Sequence, residues 1–318
     1  MPLFRLCIVQ ALRWDGTLVT PAFEDFELGG VGGVGIVGTG RMAKALGALM
    51  ARRGAGVSAV AGRCVQSAEE AGRFMGVERA VPVRELPRYA RRIVIAVTDG
   101  AIPEVARELA EGGLREGIVL HTSGAAGPHA LEILREAGNS VGVLHPLQTV
   151  PSAEQGVEAL PGAAFAFAGD GDATAWAASL VVRLGGRALR VDAGFWQHYH
   201  AGAVMACNYQ MTLVDAALEL MATAGIGRGE ALDALGPILR ATTENVLRYG
   251  PEQALTGPIR RGDLGTIRGH LAALEHASPE TRRLYVAAGL RTVAVAERAG
   301  LDESAAREVE KALGAETT

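Results

Sequence analysis

Three histidines and a serine stand in short polar motifs that interrupt apolar sequence: His121 and Ser123 in HTSG, His145 in LHPLQT and His200 in YHAGAV. Imidazole has an unperturbed pKa of about 6.5, so a histidine held against a substrate can carry a proton near neutral pH. A serine hydroxyl can donate one hydrogen bond and accept others. A further motif, Gly38-Thr39-Gly40-Arg41-Met42-Ala43, bears no reactive group but places small residues where a chain must turn sharply. Such a turn holds a dinucleotide when it follows a strand and opens a helix. Gly38 permits the turn, Gly40 lets backbone approach a pyrophosphate, and Ala43 allows close helix packing. The helix N-terminus then offers free amides and partial positive charge to the phosphates.

The run VGIVG before this turn reads as a strand and the run after it as a helix. The second strand ends AVAGRC, where a carboxylate would bind the ribose hydroxyls of NAD; Gly62 and Arg63 stand there instead, and the nearest acids, Glu69 and Glu70, fall within the next helix. NADP (NADPH) is therefore the expected cofactor. Arg63 is the main candidate for its 2′-phosphate and Arg41 the second, because a guanidinium grips phosphate through paired hydrogen bonds.

From Val34 strand-like and helical runs alternate: GVSAVAG, RIVIAV, AIPEVARELAE, GIVLHTSG, PHALEILREAG and SVGVLHP. This pattern predicts an α/β domain with a doubly wound parallel sheet and crossover helices. AAFAFAG and RALRVD, flanking ATAWAASLVVRLG, extend it to about Asp192. Strands then cease. Val204, Cys207, Met211, Val214, Leu218 and Met221 recur in steps of three and four, marking one face of a long helix that opens an all-α C-terminal domain. The expected divisions are an extension over 1–29, a Rossmann-like cofactor domain over 30–193 and a helical substrate and dimerisation domain over 194–318. Asp263 and Ser278-Pro279 are expected helix caps, with Gly225 and Gly300 as helix stops.

In such sheets ligands bind beyond the carboxyl ends of the strands, so His121, Ser123, His145 and Gln148 are expected to cluster there. Ser123 either donates a hydrogen bond to cofactor or substrate or shapes its turn. His145, held by Pro146, is either a proton-transfer or orienting residue or a turn histidine. His200 lies four residues before Val204 and so faces inward, as a site residue or as a core histidine; Asn208 follows two turns later. Thr256, Arg260 and Arg261 in the TGPIRRGD loop are candidates for a substrate carboxylate.

The formal net charge of -4 and the 21% charged residues lack the basic excess that nucleic acid requires. No apolar run approaches the ~20 residues of a membrane span, and no targeting signal is read near the start. Cys7, Cys64 and Cys207 are widely spaced with no CxxC, which argues against disulfides and zinc and for a reducing cytoplasm. His198 and His200 fall on nearly opposite helix faces, so no metal is expected.

Taken together, GIVGTGRMAKAL, AVTDGAI, HTSG, LHPLQT, YHAGAVMACNY and ALTGPIRRGD, over about residues 32–313, resemble a bacterial family that joins a Rossmann-like domain to a helical domain of unknown function. That family is similar in architecture to pyrroline-5-carboxylate reductase and the 6-phosphogluconate dehydrogenase superfamily. The resemblance implies an NADP-dependent oxidoreductase and a homodimer built through the helical domain. It further implies that Thr98 and Asp99 lie near the cofactor ribose and that Ser123 and Gly124 approach the nicotinamide. His145-Pro146 is similar to the HP turn of prephenate dehydrogenases. Related ketopantoate and hydroxy-acid reductases place a lysine on the first helix of the second domain, whereas lysine occurs here only at Lys44 and Lys311. A carbonyl substrate would then take its proton from His200 or His145, while an iminium arrives already protonated. The leading expectation is an NADPH-dependent reductase of a small oxo acid, ketopantoate-like, or of a cyclic imino acid. The alternatives are a prephenate-type dehydrogenase and a non-catalytic NADP-binding sensor or scaffold.

Overall fold

Valine, isoleucine and alanine fill the short runs that become the central strands, and burial on both faces is the reason. The computed structural model describes Ala11–Leu12, Leu18–Val19 and residues 33–314. Most of the expected extension over 1–29, and Cys7 with it, lies outside the described residues. Strands β1 (Ala11–Leu12) and β2 (Leu18–Val19) pair antiparallel as a sheet of their own.

The main sheet holds β3 (Val34–Val37), β4 (Val57–Gly62), β5 (Ala80–Pro82), β6 (Arg92–Ile95), β7 (Ile118–His121), β8 (Ser140–Pro146), β9 (Ala164–Gly169) and β10 (Arg187–Arg190). Its order is β10-β9-β8-β7-β6-β3-β4-β5. Helices α1 (Arg41–Arg52), α2 (Val65–Met75), α3 (Ile102–Glu111), α4 (Glu132–Glu136), α5 (Ala153–Ala159) and α6 (Gly171–Leu184) lie between strands. Successive strand residues point to opposite faces, so one strand feeds two cores. Ile36, Val60, Val94, Leu120 and Leu144 join α1 and α6 in one cluster. Val37, Ala61, Ile93, Ile95 and Val119 join α3 in the other. The chain winds outward in both directions from β3, which makes the carboxyl edge at β3 and β6 the crevice where such sheets take ligands.

The sheet departs from the expected parallel pattern in one place. β9 runs antiparallel to β8, with Gly142 opposite Gly169, and β10 then runs parallel to β9. A side chain at Gly169 (φ +143°) would press on the Gly142 backbone, so glycine at the crossing permits the approach. The reversal follows α5, capped by Ser152, whose hydroxyl accepts from the Gln155 amide at 3.2 Å. Seven residues are too few for a periodic signal, and the three residues of β5 are fewer still.

The described fold separates into two compact units, the first ending at Val204 and the second beginning at Met205. That boundary falls within α7 (Trp196–Thr223). The second unit continues with α8 (Arg228–Ala254), broken at Gly250, then α9 (Leu264–Ala273), α10 (Pro279–Arg298) and α11 (Glu303–Gly314). Ile267, Leu271, Val286, Val293, Val309 and Leu313 form its core. Asp263 accepts from the Thr266 amide at 3.0 Å and Ser278 from the Thr281 amide at 3.2 Å, and both cap helices as expected. Gly225 (φ +85°) and Gly300 (φ +95°) follow the ends of α7 and α10 in the left-handed conformation of a helix stop. The α7 stripe is not buried throughout: Leu218 is 4% exposed but Met211 is 62% exposed, alongside Met205, Tyr209 and Leu213.

Glu219 reaches from α7 to the N-terminus of α10. Its carboxylate accepts from the Ser278 amide (2.9 Å), the Ser278 hydroxyl (3.1 Å) and the Thr281 hydroxyl (2.6 Å). These bonds, that from Thr281 first, hold its pKa below the ordinary carboxylate value. A depressed carboxylate pKa adds stability that is full above the unfolded-state pKa and is lost as pH falls through the folded-state value. We therefore expect Glu219→Gln to lower the melting temperature at pH 7 and the difference from the parent protein to shrink as pH is taken down to 3. Melting curves across that range check this; a difference independent of pH contradicts it.

Candidate active site

At the end of β3 the backbone of Gly38 takes φ +130°, and a Cβ there would collide with the Ala96 carbonyl that follows β6. Only glycine fits this position. Ala43 is fully buried, and its Cβ lies 3.2 Å from the place a Gly38 Cβ would take, so the third small residue lets α1 settle onto the turn. Gly40 is the N-cap of α1; no side chain caps it, and a Cβ added there meets nothing within 4 Å. Uncapped amides facing open space fit a pyrophosphate. Thr39 and Met42 are half-buried, and the Thr39 methyl lies 2.9 Å from where a Cβ on Gly62 would stand. Arg63 is exposed just past β4, ahead of the equally uncapped α2. Arg41 is exposed too, but its guanidinium donates to the Pro151 carbonyl at 2.8 Å. Thr98 and Asp99 are exposed beyond β6. Because β4, β3, β6, β7 and β8 run parallel, all these groups share one carboxyl edge with Ser123 and Gly124.

The histidines occupy the same edge in three different states. His121 is completely buried at the end of β7. Its Nδ1 accepts from the Ser123 amide at 3.2 Å, which leaves the ring proton on Nε2, donating to the Gly127 carbonyl at 3.1 Å. Burial pushes its pKa down to about 4, and the ring serves as a neutral brace for the turn. The Ser123 hydroxyl accepts from the Ala126 amide at 2.9 Å, so it shapes the turn while its own proton stays available. His145, at the end of β8, pairs through Nδ1 with the Tyr199 hydroxyl at 2.8 Å. Burial first, and then the neighbouring His200, take its pKa to about 4 despite Asp99. His200 is half-buried, its ring edge-on to His145 with centroids 5.9 Å apart.

The start of α7 creates this cluster. Trp196 is 1% exposed, packed with Val143, Ala166 and Ala168, and its indole donates to the Gly124 carbonyl at 2.8 Å. Gln197 donates to the Ala125 carbonyl at 2.8 Å. One turn on, Tyr199 and His200 meet His145. A Cβ on Gly124 would lie 2.6 Å from His200 Cδ2 and 2.8 Å from His145 Nε2, so both imidazoles converge on this glycine. Trp196 and Tyr199 were absent from the expected site, although their i, i+3 spacing beside His200 is legible in the sequence.

Gln148 does not join the cluster: its side chain accepts from the Thr149 amide and donates to the Ala159 carbonyl. In the second unit Asn208 is exposed on α7. Thr256 lines a cavity of about 420 Å³ with Leu213, Ile259, His270 and Tyr285. Arg260 donates to the Ala299 carbonyl at 2.7 Å, tying its turn to the end of α10, and Arg261 lies 3.8 Å from Asp263. Among the described residues no three His, Cys, Asp or Glu side chains are grouped to hold a metal, and no helix is long and apolar enough to cross a membrane.

Comparison with known proteins agrees with this architecture. Residues 30–146 match the Rossmann-like domain family, and residues 163–292 match DUF2520, a domain of unknown function. No curated protein matches the sequence. Among solved structures the chain is similar to a candidate NADP oxidoreductase of Bacteroides fragilis (23% identity, TM-score 0.64, 87% of this chain and 97% of that one). It is similar to a Thermotoga maritima protein (20% identity, TM-score 0.67, 83% and 99%). It is also similar to a reductive aminase of Aspergillus terreus, solved with an NADPH derivative, cyclohexanone and allyl amine (18% identity, TM-score 0.60, 88% and 99%). The likeness to these structures is one of fold, and the two family matches follow one another along the chain, the Rossmann-like one over β3 to β8 and the DUF2520 one from β9 into α10.

Proposed function

We propose that the protein is an NADP(H)-dependent oxidoreductase that reduces a small oxo acid or cyclic imino acid. The observation that carries this reading is the convergence of the His145 and His200 imidazoles on Gly124, at the sheet edge that also bears the glycine turn. Structural neighbours whose descriptions include NADP oxidoreductases, reductive aminases and imine reductases are consistent with it.

Gly38, Thr39, Gly40 and Met42 would hold the pyrophosphate, Thr98 and Asp99 the ribose, and Ser123 the nicotinamide end. Arg63, with no carboxylate beside it at the end of β4, would bind the 2′-phosphate; Arg41 is the second candidate, already engaged with Pro151. When bound, NADPH supplies the two electrons and the hydrogen that reduce the substrate carbon. The chain itself supplies position and a proton. His200 turns its Cδ2 to Gly124, and Nε2 is the ring nitrogen bonded to that carbon. His200 would give a proton to a substrate oxygen, while His145, kept neutral by burial, would orient the substrate. An iminium arrives protonated and needs only the positioning.

A homodimer through the helical unit is part of this proposal, because Met205, Tyr209, Met211, Ile238 and Leu247 leave more apolar surface open than a solitary helical layer needs. A reducing cytoplasm suits the widely spaced cysteines.

Two measurements test the reading. NADPH is expected to bind more tightly than NADH, and Arg63→Ala to remove most of that preference, at a cost of about 1.5 to 3 kcal/mol in NADPH binding from lost charged hydrogen bonds. Equal affinity of the parent protein for both cofactors, measured by fluorescence titration, counts against it. His200→Gln is expected to retain NADPH binding but to lower turnover of a carbonyl substrate by ~10² to 10⁴, with a far smaller effect on an imine. Unchanged carbonyl turnover in the folded variant removes His200 from the chemistry.

A further inference from the structure

Two imidazoles meet at Gly124, and the protein fixes the proton on one of them through a residue that sequence reasoning passed over. The Tyr199 hydroxyl lies 2.8 Å from His145 Nδ1. Between a phenol and a neutral imidazole the direction of this bond is settled by acidity: the phenol O–H is the stronger donor and the imidazole nitrogen lone pair the stronger acceptor. Burial raises the Tyr199 pKa to about 12, so the phenol keeps the proton it donates throughout the neutral range. A neutral imidazole carries one proton, and with Nδ1 engaged as acceptor that proton sits on Nε2.

Nε2 is the atom aimed at the turn. It would lie 2.8 Å from a Cβ on Gly124, with His200 Cδ2 2.6 Å from the same position. His121 follows the same logic with main-chain partners, but its Nε2–H is spent on the Gly127 carbonyl and its ring is fully buried. His145 thus differs from its neighbour His121: both are neutral and locked, but only the Nε2–H of His145 faces Gly124. His200 stands edge-on to His145 with ring centroids 5.9 Å apart, and burial keeps His145 neutral beside that second imidazole.

We propose that Tyr199 is a positioning residue that locks neutral His145 in the Nε2–H tautomer, so that His145 donates a hydrogen bond to the oxygen of a carbonyl substrate beside His200, the proton donor of the function proposed above. The role in reduction rests on the function proposed above; the tautomer does not, and the two are tested separately.

Tyr199→Phe removes the hydroxyl and keeps the ring that packs 5.0 Å from Trp196. Long-range nitrogen–proton NMR correlations of the cofactor-free protein, with imidazoles assigned by His121→Gln and His145→Gln, distinguish protonated from bare ring nitrogens. In the parent protein His145 and His121 are both expected as Nε2–H. In Tyr199→Phe the His145 pattern is expected to become an average of the two tautomers while that of His121 stays unchanged. A parent His145 protonated on Nδ1 overturns the proposal, and this decides the matter even if the variant does not fold. An unchanged His145 pattern in folded Tyr199→Phe overturns it as well. With a substrate in hand, Tyr199→Phe is expected to lower kcat/KM about tenfold with unaltered NADPH affinity. Absence of turnover by the parent protein, with the tautomer as stated, would reject the reductase reading and leave the Tyr199–His145 lock standing.

Discussion

The hydrogen bond from the Trp196 indole to the Gly124 carbonyl, at 2.8 Å, is the constraint on which the candidate site depends. It joins the turn after β7 to the first residue of α7 and thereby sets the phase of that helix. Packing and hydrogen bonding divide the work. Burying an indole of at least ~150 Å² is worth roughly 4 kcal/mol at ~25 cal/mol per Å², whereas the hydrogen bond adds about 1 kcal/mol net. The contacts with Val143, Ala166 and Ala168 therefore hold the helix start in place, and the hydrogen bond selects its orientation. Tyr199 and His200 follow on the next turn and meet His145 there.

A second consequence concerns β9. Ala166 and Ala168, which receive Trp196, belong to the strand that reverses direction beside β8. Their small side chains leave room for the indole. The antiparallel crossing at Gly142 and Gly169 is thus part of the platform for α7, as well as an irregularity of the sheet. The cofactor end of the edge uses a different device. There the groups proposed to receive the pyrophosphate are backbone amides of α1, whose N-terminus Gly40 leaves without a side-chain cap.

Much of this was legible in the sequence because it depends on local rules. Gly38 announces a positive φ, alternating apolar runs announce a sheet with two covered faces, and Asp263 and Ser278 announce helix starts. The order of the strands around β3 and the reversal of β9 are not announced locally, and the reversal depends on how a seven-residue helix returns the chain. Tertiary pairing also escaped. Nothing local links Tyr199 to His145 or Trp196 to Gly124, separated by 54 and 72 residues. Arg260 shows the same gap: two adjacent arginines in a Pro-restricted loop read as a candidate anion site, and nothing local announces that one of them also donates to the Ala299 carbonyl at the end of α10. Sequence gives the chemistry a side chain is capable of, while the choice among partners is made by packing.

If the Gly124 turn, with both imidazoles against it, is where substrate is reduced, a methyl at that position must disturb the reaction, and NADPH oxidation by purified Gly124→Ala and parent protein across a panel of small oxo acids and cyclic imines measures this. The backbone at Gly124 tolerates alanine, but the new methyl would stand 2.6 Å from His200 and 2.8 Å from His145 and must displace both rings. The account predicts substrate-dependent oxidation by the parent protein, and its loss in a variant that still binds NADPH. Equal turnover by the two proteins, or a parent protein that binds NADPH and oxidises it with no substrate of either class, would contradict it.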